Sequence, residues 1–236
     1  RSDQVVRRAL LEPGGEAVVE HRLERSTRES LGIWRRPLGG EAPTRIAPPI
    51  PHDERFGRTF STELSWTDDG RLTIQSCAAV ACRTRILDQR TGALAAAVDD
   101  PDQGELIGVS GDLLVTYAAC RSLPCRIVAT DLRAGTRRTL AEAAGLARLI
   151  ADPAGTRLVH ELDGPGSGRL RSVAPAGGSD RVVPLGDGLV LAPSASRSRS
   201  ALALPPGWLL VSPDGRAHSL GRSWMVDPLS GVQREI

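Results

Sequence analysis

"QSCAAVACRTRILDQRTG", residues 75–92, places Cys77 and Cys82 five positions apart. Forty-three residues further on, "YAACRSLPCRIVATDLRAG" (117–135) repeats the spacing with Cys120 and Cys125. More than the cysteines recur. At this offset Asp69 falls on Asp112, Arg83 on Arg126, Asp88 on Asp131, Arg90 on Arg133 and Gly92 on Gly135. A period in the forties with strand–turn–strand content is the mark of a β-propeller blade. Four short strands and their turns use about that many residues.

The rest of the chain fits the same template. "LSWTDDGRLTIQSC" reads as strand, Asp-Gly turn, alternating strand. "LIADPAGTRLVHEL" repeats this around Gly155, and "WLLVSPDGRAHSL" around Asp214-Gly215. Five further stretches place a Gly-containing turn between two apolar segments: "LGIWRRPLGGEAPTRI", "RILDQRTGALAAAV", "IVATDLRAGTRRTL", "LRSVAPAGGSDRVV" and "WMVDPLSGVQREI". Helical spacing is found only in "TLAEAAGLARLI", which holds Gly145 and also fits an outer strand followed by an inner one. The expected fold is all-β: one β-propeller domain over 1–236, with antiparallel four-stranded blades at about 4–51, 58–99, 105–142, 146–185 and 188–236. The last segment has material for about six strands. Either the C-terminal "SWMVDPLSGVQREI" closes the ring against N-terminal strands, or a sixth blade exists; five is preferred.

These turns resemble those of TolB-like and WD-repeat-like propellers. "VSPDGR" (211–216) carries the likeness, with "SWTDDGR" (65–71) and "ADPAGTR" (151–157) as weaker copies. "SGD" (110–112) and "PSASRSR" (193–199) depart from it. The resemblance implies architecture only, because such propellers serve as scaffolds, receptors and the gating halves of peptidases.

Composition narrows the class. The 236 residues include 25 Gly and 17 Pro but only 3% aromatics. There is no Lys and no Asn, which points to a GC-rich bacterial genome and leaves no N-glycosylation acceptor. Net charge is +2 with acids and arginines intermixed, which is not the basic stripe of a nucleic-acid binder. No apolar run approaches membrane-spanning length. The first residue is Arg rather than Met, as in a processed or a truncated product, and the former would agree with export.

In the blade template Cys77 ends the second strand and Cys82 begins the third. Facing hairpin residues come close enough for a disulfide. Cys77–Cys82 and Cys120–Cys125 are therefore expected to staple their own hairpins, each worth about 2 kcal/mol. A four-cysteine zinc site and four free thiols are the alternatives. Disulfides imply an extracytoplasmic setting: secreted, periplasmic or cell-surface.

The search for chemistry yields no catalytic set. There is no G-x-S-x-G, and "GPGSG" (164–168) reads as a hairpin tip. Asp68, Asp69, Asp99, Asp100, Asp112 and Asp152 could serve a glycan-cleaving propeller, but most sit in turns, and stacking aromatics are few, with Trp66 and Trp224 nearest the turns. "DDPDQGE" (99–105), with Asp99, Asp100, Asp102 and Glu105, could hold calcium but reads better as a solvated inter-blade loop. No other cofactor is expected. His21, His52, His160 and His218 read as surface or strand-end residues. "SASRSRS" (194–200) reads as a loop rather than an RNA-binding tract. P-loop and dinucleotide fingerprints are absent.

The expectation is a non-catalytic module that binds a protein or other macromolecule, with no nucleic acid and no membrane span in this chain. Its rival is an enzyme, either a glycan-cleaving propeller or the propeller portion of a hydrolase. The expected binding face carries the loops at Ser26–Ser30, Ala78–Ala81, Arg121–Pro124 and Gly164–Gly168, with Arg121 as the candidate contact. Arg90 and Arg133 mark the opposite face.

Overall fold

The computed structural model describes residues 3–50, 61–67, 69–77, 81–88, 91–100, 104, 106–118, 124–145, 147–152, 155–164, 166–175, 180–185, 189–191, 209–212 and 224–235. All regular structure in them is β. Twenty strands form five antiparallel four-stranded sheets, each in simple sequence order. This is the make-up of a five-bladed β-propeller. The chain divides into two compact units, 1–104 and 105–236, described in turn.

The first unit holds two sheets. One comprises β1 (Gln4–Leu11), β2 (Ala17–Glu24), β3 (Ser30–Pro37) and β4 (Thr44–Ala47). The other comprises β5 (Ser61–Trp66), β6 (Leu72–Cys77), β7 (Cys82–Leu87) and β8 (Leu94–Asp100). Period-two alternation decides which side chains meet. Val19 and Ile33 of the first sheet pack with Leu64, Leu72, Ile74 and Leu87 of the second. The sheets approach closely at Gly92, where a Cβ would stand 2.2 Å from the Ile46 carbonyl oxygen.

The second unit holds three sheets. The first contains β9 (Leu106–Ser110), β10 (Leu113–Ala118), β11 (Cys125–Asp131) and β12 (Arg137–Ala143). The next contains β13 (Ala147–Asp152), β14 (Gly155–Glu161), β15 (Arg169–Val173) and β16 (Arg181–Pro184). The last contains β17 (Val190–Leu191), β18 (Leu209–Ser212), β19 (Trp224–Val226) and β20 (Gln233–Glu235). One core joins Val115, Tyr117, Ile127 and Ala141 to Ala147, Leu158 and Val173. A second joins Ile150, Val159 and Leu170 to Leu191, Leu209 and Val226. Small alanines at such seams let the sheets sit close, so this propeller fills its cores with few aromatics.

"TLAEAAGLARLI" is strand, turn, strand, as its glycine suggested: β12 ends at Ala143 and β13 begins at Ala147. "SGD" also does the expected work despite departing from the motif. Ser110 pairs with Leu113, and Gly111, at φ +52°, makes the two-residue turn between them. The C-terminal segment requires a correction. β19 and β20 complete their own sheet by pairing with β18 and with each other, and β1 pairs with β2. Among the described residues each chain end finishes its own sheet, because each already has a full set of four strands to pair with.

One turn recurs between third and fourth strands. Asp88…Gly92, Asp131…Gly135 and Asp227…Gly231 share it. In each the glycine N–H donates to the aspartate carbonyl at 2.8 Å, and the aspartate side chain accepts amides inside the turn. The glycines have φ of +68°, +67° and +78°, a region where a Cβ is penalised.

Candidate functional site

Cys77 and Cys82 face each other across the β6–β7 hairpin and form a disulfide with S–S 2.03 Å and Cα–Cα 4.0 Å. Cys82 and the preceding Ala81 are buried, so the bond anchors the base of the hairpin tip to the core. Residues 78–80 of that tip lie outside the described residues. The row beside the disulfide runs Ser76, Arg83, Asp99 across three strands. Arg83 grips Asp99 with Nε at 2.5 Å and Nη2 at 2.9 Å. That hydrogen-bonded pairing, outweighing the cost of burial, holds the Asp99 carboxyl below its ordinary range. Two rows inward, burial and the charge of Arg83 lower the pKa of half-buried Arg85.

In the neighbouring repeat, buried Cys125 opens β11 and is disulfide-bonded. Cys120 and Arg121 lie outside the described residues. Of the four loops expected on one face, Ser26–Ser30 and Gly164–Gly168 are described apart from residue 165. Arg28 is left-handed at φ +62°. Ser167 of "GPGSG" is a turn residue: its hydroxyl donates to the Leu162 carbonyl and its amide to that of Gly164. A serine held this way has the bonding of a hairpin tip, not of a nucleophile with a base beside it.

The carboxylates separate in the same manner. Asp99 and Asp100 belong to β8 rather than to an inter-blade loop, and Asp99 is taken by Arg83. Asp102, Glu105 and Asp68 lie outside the described residues. Asp69 accepts from Thr67 and Arg71; burial raises its pKa, and these bonds lower it more. Asp112 pairs with Arg133 at 2.6 Å. No group of three or more His, Cys, Asp or Glu suited to a metal ion occurs among the described residues. Trp66 donates its indole N–H to the Leu11 carbonyl at 2.7 Å, and Trp224 packs against the second-unit core that contains Val226 and Leu209.

Two histidines correct the sequence reading. His21 lies within β2 and His160 within β14, and both are buried. Their alternation partners are core residues: Val19 and Leu23 for His21, Leu158 for His160. His21 Nε2 meets the Ser30 hydroxyl at 3.1 Å, and His160 Nδ1 donates to the Glu161 carbonyl at 3.0 Å. Burial first, then the charge of Arg7, pushes His21 down to about 4. His160 is also lowered, chiefly by burial.

A set of buried polar residues that no single sequence motif flags is tied to distant backbone. Gln75 of β6 donates to the Gly104 carbonyl at 2.9 Å. Tyr117 of β10 accepts the Ala147 amide at 2.5 Å. Glu161 of β14 accepts the Leu191 amide at 2.9 Å. Each sits late in a second strand; within the second unit Tyr117 and Glu161 reach backbone of the following sheet, and Gln75 reaches the end of the first unit. Burial raises the Tyr117 phenol pKa and lowers that of Arg148, which lies in the fields of Tyr117 and Glu161. The buried polar groups thus read as structural latches.

The geometry defines a β-propeller whose distinctive local feature is a stapled hairpin. Comparisons with known proteins agree on the fold. No protein-family model matches the chain, and no curated protein matches it. The chain is similar to the uncharacterized protein lmo1340 of Listeria monocytogenes, with TM-score 0.59 and 12% identity, covering 95% of this chain and 63% of that one. It is similar to a prolyl endopeptidase, with TM-score 0.57 and 13% identity, over 98% of this chain and 40% of that one. It is also similar to a puromycin-hydrolyzing peptidase of Mycobacterium tuberculosis, with TM-score 0.56 and 13% identity, over 99% and 38%. The chain therefore spans less than two thirds of each of these proteins, and at such identities the likeness is one of fold.

Proposed function

We propose that this chain works outside the cytoplasm as a non-catalytic β-propeller that binds a protein partner. The observation that carries the reading is the Cys77–Cys82 disulfide. A stapled tip belongs to an oxidising compartment, and it lowers the ordering cost of presenting a loop to a partner. The described turn carboxylates and Ser167 are engaged by arginines or by turn backbone, which fits a scaffold better than a catalytic centre. Arg121, beside the second cysteine pair, is the proposed contact.

A second reading has one observation in its favour. Two of the similar structures are peptidases, matched over nearly all of this chain and about two fifths of their own. The chain would then be the propeller portion of a larger hydrolase.

The test uses oxidised protein. It is cross-linked to cell-envelope extracts, and partners are identified with and without Arg121→Ala. The proposal predicts a partner whose binding weakens by roughly 1–2 kcal/mol in the variant. It also predicts no turnover of peptide, ester or glycan substrates. Substrate turnover by the isolated chain, or capture equally strong after reduction and after Arg121→Ala, would overturn it.

A further inference from the structure

We propose that Ser30 and His21 form an acid-operated catch on the segment that follows β4: at neutral pH the Ser30 hydroxyl holds the Ile50 amide, and protonation of His21 releases it. The segment reads "PPIP" over residues 48–51. Proline has no amide N–H, so Ile50 supplies the single backbone donor of this stretch. That donor is spent on the Ser30 hydroxyl at 3.0 Å. The Ile50 side chain packs against the core of the first unit, so one residue ties the segment in two ways.

The protons available at Ser30 set the direction of its bond to His21. A serine hydroxyl offers one donor and two acceptor lone pairs. Both lone pairs are taken, by the Gly32 amide at 3.2 Å and by the Ile50 amide. The O–H is left for His21 Nε2, 3.1 Å away, so Nε2 is the acceptor and carries no proton. The neutral ring then holds its proton on Nδ1, which is buried and has no hydrogen-bond partner among the described residues. A second proton can enter only at Nε2. There it makes a third donor aimed at an oxygen with two lone pairs, and one bond must break. Gly32 lies two residues from Ser30 on the same strand and cannot move far. Ile50 lies beyond the last β3–β4 pair, Ile33 with Ala47, and is the one able to leave.

The charges around the ring do not steady the added proton. Arg7 of β1 acts on the ring and repels it. Arg8, the register partner of His21, turns instead to Glu63 of β5. On β2 the adjacent Glu20 and Arg22 occupy the opposite face, where Glu20 accepts from Arg22 and Arg36. On β3 the ring is paired with Ile33, and Arg45 of β4 lies beside Gly32. Strands β5 to β7 present Leu64, Leu72, Ile74 and Leu87 to the same core. Glu20 and Glu63 are thus both taken by arginines. A charged ring gains nothing by staying in place, and the added proton favours opening.

Imidazole nitrogen NMR on the full chain tests where the proton sits. At pH 7.5 the Nε2 of His21 should give the signal of a bare nitrogen and Nδ1 that of a protonated one. A proton on Nε2 overturns the proposal, because the bond to Ser30 would already point the other way. Amide hydrogen exchange, corrected for its intrinsic pH dependence, tests the release. Between pH 7.5 and pH 5, with circular dichroism unchanged, protection of the Ile50 amide should fall at least about tenfold, ahead of the amides of β6. His21→Gln keeps an acceptor for the Ser30 hydroxyl but does not titrate, and should leave Ile50 protected at both values. Ser30→Ala should leave it unprotected at both, and if that variant unfolds the wild-type measurements decide. Ile50 protection that is equal at both pH values in the wild type, or that falls as far in folded His21→Gln, overturns the proposal as well.

Discussion

Gly92→Ala is expected to cost about 3 kcal/mol or more, while Gly135→Ala in the equivalent turn costs only about 1 kcal/mol. The two glycines have nearly the same backbone, φ +68° and +67°, and the same bond back to an aspartate carbonyl. The left-handed penalty is therefore common to both. What differs is the neighbour. A Cβ at Gly92 would stand 2.2 Å from the Ile46 carbonyl oxygen, whereas a Cβ at Gly135 meets nothing within 4 Å. The Ile46 oxygen is backbone and cannot swing aside, so the first two sheets would have to separate locally. Gly231→Ala, with its nearest contact at 3.9 Å, should behave like Gly135→Ala. Urea titration of the three variants measures this directly. Equal losses at Gly92 and Gly135 would show that the close approach to Ile46 is not real.

Acid should destabilise the fold before its carboxylates titrate. His21 is buried neutral with its pKa at about 4, against an ordinary value of 6.5. In the unfolded chain it takes up a proton as the pH falls through 6.5, and in the folded chain it resists. Stability is thus full above pH 6.5 and declines as the pH falls toward 4. The shift corresponds to a loss of about 2–3 kcal/mol by pH 4.5. His160, lowered chiefly by burial and further by the charge of Arg171, adds to the loss in the same direction. The carboxylates held low by arginines, Glu20, Asp69 and Asp99, act in a lower window, because they lose stability only as the pH passes below their ordinary values. Unfolding free energies at pH 7.5 and 4.5 should differ accordingly, and His21→Gln should remove much of the difference. A wild-type stability flat across that range would contradict the neutral, buried placement.

The Cys77–Cys82 pair and the Asp…Gly turns were legible because a turn makes strict local demands. Only glycine takes left-handed φ cheaply, and a hairpin disulfide needs facing positions. The repeated offset was therefore written in the same letters. The buried latches were not. Gln75, Tyr117 and Glu161 keep nearly the same register but use an amide donor, a phenol and a carboxylate for one job. Backbone offers both donors and acceptors, so any of these groups can serve and no single letter marks the position. His21 was misread because "EHR" looks like solvated surface. The alternation Val19, His21, Leu23 would have placed it on the core face. The closing segment left its strand count open, yet its expected blade at 188–236 holds the four strands β17–β20. Residues 192–208 and 213–223, which prompted the larger count, lie outside the described residues.

The central claim is a disulfide-stapled propeller that operates outside the cytoplasm, and the oxidation state of the protein in its native cell tests it most directly. Thiols are trapped by alkylation at lysis, and the protein is mapped by non-reducing peptide mass spectrometry. The account predicts no alkylated cysteine, with Cys77 joined to Cys82 and Cys120 joined to Cys125. Four alkylated thiols, stoichiometric zinc, or a bond between the two pairs would contradict it.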